Sequence, residues 1–396
     1  MLRSRVGIAW SRSWTVRAAL GVTLLAPACV KQAQPVPCQP LSVASPGASA
    51  GAGGAPAAVA DPASQTLRAA AAKSQRKVGV ALATWFFDQM GYKETAAQHF
   101  DSLTPENEMK WYATEPEPGK FTFEGGDKLV AFAEAHQMRV RGHALVWHNQ
   151  LAPWVKGLPP KELRAAMLRH AQTLVGHWKG RIAHWDVVNE SVDDAGKLRA
   201  DSPFTALGPT YLDEAFRAAH AADPSALLYY NDYDIEDYRT PKSEGAYQLV
   251  KRLKESGVPI HGMGFQMHLD PRNWPTAEVM QKTLERFAAL GLKIELTEID
   301  VPLGELPGSP AEKLAAQAAL TRGVVQSCMA VPQCTGLTFW GLTDSQSWLS
   351  TPEWGPRRGR GPHLPLPFAE NYQPKPMFDA VLAALAGGSA APASAR

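Results

Sequence analysis

Two short segments of the chain carry, at or near their ends, glutamates that could do bond-breaking chemistry. One is Trp185-Asp186-Val187-Val188-Asn189-Glu190, the other Glu295-Leu296-Thr297-Glu298-Ile299-Asp300. Each has a β-branched or apolar run that closes on polar residues, as a buried strand does where it meets a site. The same habit recurs at Glu106-Asn107, at His143 with Trp147-His148, at Asn231-Asp232, at Gln266 with His268, and at Trp340. Two carboxylates that face each other across a cleft are the equipment for cleaving a glycosidic bond. One protonates the leaving oxygen; the other attacks the anomeric carbon or activates water.

Such residues need a scaffold that brings distant strand ends together. Short strand-like runs lie at Val78–Leu82, His99–Thr104, Arg139–Trp147, Ala183–Asn189, Ala226–Asp232, Gly262–His268, Lys293–Thr297 and Gly336–Trp340. Helical periodicity fills the gaps, as in Lys161–Trp178, Tyr211–Ala222, Ala277–Leu290 and Ala311–Met329. Pro160, Pro241, Pro275 and Pro310 fall near helix starts, where a missing N–H costs nothing. Eight strand–helix units in about 320 residues predict an α/β fold, a (β/α)8 TIM barrel, with its chemistry at the C-terminal strand ends. A doubly wound open sheet would show a Gly-rich phosphate turn after its first strand, and none is present.

Composition narrows the function. The chain has 396 residues, 45% hydrophobic and 20% charged, enough to bury a large core. Forty bases against 38 acids leave too little excess for nucleic acid to be the expected partner. Residues 1–65 hold five of those bases and one acid, so the remainder is slightly acidic. Four cysteines exclude a disulfide-stapled miniprotein or a Cys-rich zinc scaffold. Twelve tryptophans are unusual and raise the question of how many line a cleft rather than a core.

The first 65 residues differ in kind. Arg3, Arg5, Arg12 and Arg17 precede an apolar run, Ala18 to Ala26, too short to span a bilayer and followed by small residues. That is the layout of a secretory signal, residues 1–28. Leu25-Ala26-Pro27-Ala28-Cys29 also resembles a bacterial lipoprotein signal, in which Cys29 would be acylated; ordinary secretion is the other reading. Residues 29–65, rich in Pro, Ala, Gly and Ser, are expected to be a disordered linker. It would span roughly 30–35 Å on average as a random coil. Residues 66–386 read as one domain and 387–396 as a flexible tail. The expected location is secreted or cell-surface in a bacterium, including an outer-membrane lipoprotein.

Several segments together carry a family resemblance. They are Ser102-Leu103-Thr104-Pro105-Glu106-Asn107-Glu108-Met109-Lys110-Trp111, Arg141-Gly142-His143-Ala144-Leu145-Val146-Trp147-His148, Trp185 to Glu190, and Tyr230-Asn231-Asp232-Tyr233. Gln266-Met267-His268, Thr297-Glu298-Ile299-Asp300 and Glu370-Asn371-Tyr372-Gln373-Pro374-Lys375-Pro376 complete the set. In this order they resemble glycoside hydrolase family 10, the retaining endo-β-1,4-xylanases, from about residue 66 to 386. The resemblance implies Glu190 as acid/base and Glu298 as nucleophile, with Asn189, His268 and Asp300 in support. It places Glu106, Asn107, Lys110, His143, Trp147, Gln150, Gln266, Trp340 and Trp348 against xylose units. Xylan and xylo-oligosaccharides are then the partners of a monomer with no cofactor and no metal. In an exported member of the family, Cys328 and Cys334 are expected to close a small disulfide loop. Cys38 is then left over if Cys29 is lipidated.

Blander readings stand beside these. His143, His148 and His268 could ligate a metal, although no His-x-His pair sits on the first strand. Trp85, Trp178 and Trp185 are expected in the core, Glu295 is expected to be structural, and Asn231, Asp232 and Asp300 read as scaffold and as support behind the residues that act directly. Asp234 stands where the family commonly has Asn, which puts the leaving-group side in question. Trp354, with Arg357, Arg358 and Arg360 in a basic loop, is expected to border the cleft. The alternatives to a xylanase are a β-1,4-glucanase using the same chemistry and a non-catalytic polysaccharide-binding barrel.

Overall fold

In the computed structural model the described residues are 66–387, apart from 305, 353, 356–358 and 360. The expected signal, the linker with Cys29 and Cys38, the tail from 388 on, and Arg357, Arg358 and Arg360 lie outside them. Eight parallel strands close into a barrel in sequence order. They are Lys77–Leu82 (β1), Ser102–Pro105 (β2), Arg139–Trp147 (β3), His184–Asn189 (β4), Leu227–Asp232 (β5), Gly262–Phe265 (β6), Lys293–Ile299 (β7) and Cys334–Phe339 (β8).

The helices that follow wrap the barrel and bury one face each. Pro160, Pro241 and Pro310 occupy first helical positions, while Pro275 falls before the N-cap Thr276. Thr240, Thr276 and Ser309 each accept a backbone N–H of the first turn, and Ser309 with Glu312 forms a full capping box. The disulfide Cys328–Cys334 is present. It joins the end of helix Pro310–Ala330 to the start of β8, at the barrel end away from the site.

Two strands depart from expectation by three residues at one end. His99 closes the helix Tyr92–His99, so β2 begins three residues later, at Ser102. The β6 ladder stops at Phe265, after which Met267 turns left-handed at φ 63° and His268 makes a single bridge to Asp300. Register shifts also fall between His143 and Val146, between Asp186 and Val188, and between Leu296 and Ile299. An extra residue in a ladder re-aims the side chains beyond it, and here those are the polar strand ends.

The barrel interior is not wholly apolar. Arg141, Asp186 and Glu295 are almost fully buried. Arg141 donates Nε to Asp186 Oδ2 at 3.0 Å and Nη1 to Glu295 Oε2 at 3.0 Å. Arg139 and Thr335 donate to Glu295 Oε1 at 2.8 and 3.0 Å. Glu295 is thus structural, as expected, and its arginines hold it well below the usual carboxylate range against the opposing effect of burial. Three glycines make room for large neighbours in register: Gly142 opposite Trp185, Gly262 opposite Tyr229, and Gly264 opposite Asn231. A Cβ on any of the three would collide with that partner's side chain.

Candidate active site

The C-terminal strand ends open into a cleft of about 770 Å³. Glu190 follows β4 with φ 56°, a left-handed conformation uncommon for a residue with a Cβ and frequent at functional sites. Its backbone N–H donates to Asn231 O at 2.9 Å, which fixes the turn. Trp147 Nε1 donates to Glu190 Oε2 at 2.8 Å, while Gln266 Nε2 and Asn189 Nδ2 donate to Oε1 at 2.9 and 3.2 Å. Every one of these donors is neutral.

Glu298, on β7, has a different setting. Asn231 Nδ2 donates to its Oε1 at 2.8 Å, and His268 Nε2 lies 3.2 Å from its Oε2. His268 Nδ1 is 2.8 Å from Asp300 Oδ2, which also accepts the Trp348 indole N–H at 2.7 Å. Burial works against a charge on His268, but Asp300 and Glu298 outweigh it and raise its pKa to about 10. At neutral pH the imidazolium therefore donates from both nitrogens, one to each acid. Thr297 Oγ1 donates to Asn231 Oδ1 at 2.7 Å, which fixes the Asn231 amide with its nitrogen toward Glu298.

The β2 end supplies a second polar cluster. Lys110 Nζ donates to Asn107 Oδ1 at 3.1 Å and to Gln150 Oε1 at 2.6 Å, and Gln150 Nε2 returns to Asn107 Oδ1 at 3.1 Å. Burial pushes Glu106 up to about 7 although Lys110 pulls the other way; burial likewise lowers Lys110. The Lys110 ammonium lies 5.1 Å from the Trp147 ring and 6.0 Å from that of Trp340. His143 lies on the cleft floor with Nδ1 3.0 Å from Asp186 Oδ2, which ties it to the ion network below. Its ring meets that of Trp340 edge-on at 5.2 Å.

All the sugar-facing residues expected from sequence, Glu106 to Trp348, line this one cleft. Asp300 sits behind His268, and Trp354 joins the wall with its ring 5.4 Å from that of Trp348. Asn231, read as scaffold, touches Glu298 directly. Trp178 and Trp185 are buried, as expected, but Trp85 is not: it is 56% exposed and lines the cleft. It follows β1 in a short 3₁₀ turn that carries its ring out of the core. Arg199 and Tyr233 also line the cleft, joined by Arg199 Nη1 to the Tyr233 hydroxyl at 3.1 Å. Tyr233 was visible in the Tyr230 to Tyr233 motif; nothing in the sequence marks Arg199. Among the described residues no three His, Cys, Asp or Glu side chains converge to hold a metal ion.

A closed (β/α)8 barrel with two glutamates in one cleft, ringed by amides and indoles, is the build of a glycoside hydrolase. The sequence pattern of glycosyl hydrolase family 10 matches residues 66–384, and the chain belongs to that family. It is 42% identical over 322 residues to endo-1,4-beta-xylanase B of Thermotoga neapolitana, covering 80% of this chain and 90% of the relative. The crystal structure of native xylanase 10B from Thermotoga maritima superposes with a TM-score of 0.76 at 42% identity, covering 81% of this chain and 98% of that one. Xylanase 10B from Thermotoga petrophila RKU-1, solved in complex with xylobiose, gives the same TM-score and identity over 81% and 97%.

Proposed function

We propose that the protein is a retaining endo-β-1,4-xylanase, with Glu298 as nucleophile and Glu190 as acid/base. The observation that carries the assignment is an asymmetry of partners. Glu298 accepts from the His268 cation, whereas the donors to Glu190 among the described residues are an indole and two amides. The His268 cation holds and aims a Glu298 oxygen for attack.

In the first step a Glu298 oxygen bonds the anomeric carbon while Glu190 gives its proton to the departing glycosidic oxygen. In the second, Glu190 takes a proton from water as that water's oxygen replaces Glu298 on the same carbon. Asn189 is placed to hold the sugar 2-hydroxyl, a contact that strengthens in the oxocarbenium-like state. Retention is supported by membership of a retaining family; the Asn231 and Asn189 amides link Glu298 and Glu190 in one hydrogen-bonded chain. The sugar-facing roles of Glu106, Asn107, Lys110, His143, Gln150 and Gln266 and the walls of Trp147, Trp340 and Trp348 are supported by their shared cleft. Indole walls suit the apolar faces of xylose and crowd the hydroxymethyl of glucose.

Reducing-sugar release from xylan and from carboxymethylcellulose, with Glu298→Ala as blank, tests this reading. Faster release from xylan supports it; equal or greater release from the cellulose derivative makes the protein a β-1,4-glucanase. No release from either makes it a binding barrel.

We further propose that the chain acts as a monomer outside the cytoplasm, exported by residues 1–28 and, through acylated Cys29, tethered by residues 29–65. The basic start, the short apolar run and a disulfide suited to an oxidising compartment support export. Cell fractionation of the wild type and Cys29→Ser tests it; an unchanged membrane-bound fraction in the variant would refute acylation.

A further inference from the structure

We propose that Trp85 is an additional sugar-binding platform, stacking on the substrate's third unit from the scissile bond on the side that becomes bound to Glu298. This rests on the xylanase reading above and adds a position to it. The direction of the chain follows from the acid. Glu190 protonates the leaving group, so the leaving side runs past the loops after β4 and β5, where Arg199 and Tyr233 line the cleft. The retained side runs the opposite way, over Glu106, Asn107, Lys110 and Trp340, toward the ends of β1, β2 and β8.

Trp85 stands at the far end of that run. The backbone N–H and hydroxyl of Thr84 donate to Glu108 Oε1 at 2.5 and 2.8 Å, so Trp85 directly adjoins the Glu106 to Lys110 cluster. Gln346 Nε2 donates to Gln89 Oε1 at 2.7 Å, tying the turn that holds Trp85 to the loop after β8. The indole is held ready. It meets Phe86 edge-on at 5.9 Å, Phe86 packs on Tyr92 at 5.6 Å, and the buried Tyr92 hydroxyl accepts Ala83 N–H at 3.0 Å. Among the described tryptophans it alone is exposed, and it is continuous with a cleft already walled by Trp340, Trp348 and Trp354. An indole open to water gains from covering the flat apolar face of a pyranose, and with only two χ angles it has little freedom to lose on binding.

The test uses aryl β-xylobioside and aryl β-xylotrioside, which differ only in the third retained unit, with wild type, Trp85→Ala and Trp85→Tyr. Trp85→Ala is expected to lower kcat/KM on the xylotrioside about fivefold to twentyfold, with less than about twofold change on the xylobioside. Trp85→Tyr is expected to restore most of the loss. An equal loss on both substrates, or none on either, overturns the platform. Wild type that cleaves neither substrate overturns the xylanase reading, and the platform with it. Far-ultraviolet circular dichroism of the variants is expected to match wild type, since the ring is on the surface.

Discussion

Asn231 Nδ2 donates to Glu298 Oε1 and to Asn189 Oδ1, both at 2.8 Å, so one amide joins the surroundings of the two glutamates proposed for catalysis. Its own oxygen is occupied by Thr297, which denies it the flipped orientation that would turn a lone pair on the carboxylate. A hydrogen bond to a charged group contributes about 1.5–3 kcal/mol. Asn231→Ala is therefore expected to lower kcat/KM on xylan about tenfold to hundredfold, while Thr297→Val, which only loosens the amide, costs less. Steady-state kinetics of both variants check this; an Asn231→Ala enzyme as fast as wild type would remove the amide from the mechanism.

The two glutamates are separable by substrate. Glu190→Ala is expected to slow xylan cleavage about 10²–10⁴-fold yet leave the first step nearly intact on an aryl glycoside with an acidic phenol, which needs no proton. Glu298→Ala is expected to abolish turnover of both. Pre-steady-state release of the phenol reads the first step, and the reverse pattern would exchange the roles.

His268 links stability to pH. Its folded-state pKa, about 10, lies above the ordinary 6.5. The native state then binds the extra proton between those values, so this contribution is complete below about pH 6.5 and is lost as pH rises through about 10. The stabilisation is of the order of a few kcal/mol. Denaturant titrations from pH 6 to 10 should show a decline that His268→Gln flattens; identical slopes would dissociate the histidine from its acids.

Glu295→Ala should be costly without touching the cleft. It leaves the buried Arg141 and the partly buried Arg139 with an unbalanced charge, for which about 3–5 kcal/mol is expected. Chemical denaturation measures it. A loss below about 1 kcal/mol would mean that water or a rearranged Asp186 replaces the missing acid.

Much of this site was legible because family-like segments sit on strands whose ends a barrel must bring together. Glu190 and Glu298 belong to runs with strand periodicity, and their neighbours along the chain travel with them. Trp85 was not legible. An indole after an apolar strand has the same hydrophobicity whether it faces a core or a sugar, and only the 3₁₀ turn decides. Nor could the chain reveal that Arg141 answers Glu295, a partner 154 residues away. His99 misled because it adjoins Phe100 and the strand run that follows yet closes a helix, while at β6 the break after Phe265 depends on Met267 adopting φ 63°. Local periodicity has no access to such turns.

The glycines opposite Trp185, Tyr229 and Asn231 have a consequence for how this barrel can change over generations. Each pairs a vacancy with an occupant, so neither member is free to drift alone. A methyl at 264 would strike the amide that serves Glu298, whereas a smaller residue at 231 would leave a hole beside Gly264. Exchange must be concerted, large for small and small for large. By sterics alone, the inner wall is a set of matched couples, and an exchange at Asn231 calls for a compensating exchange at Gly264.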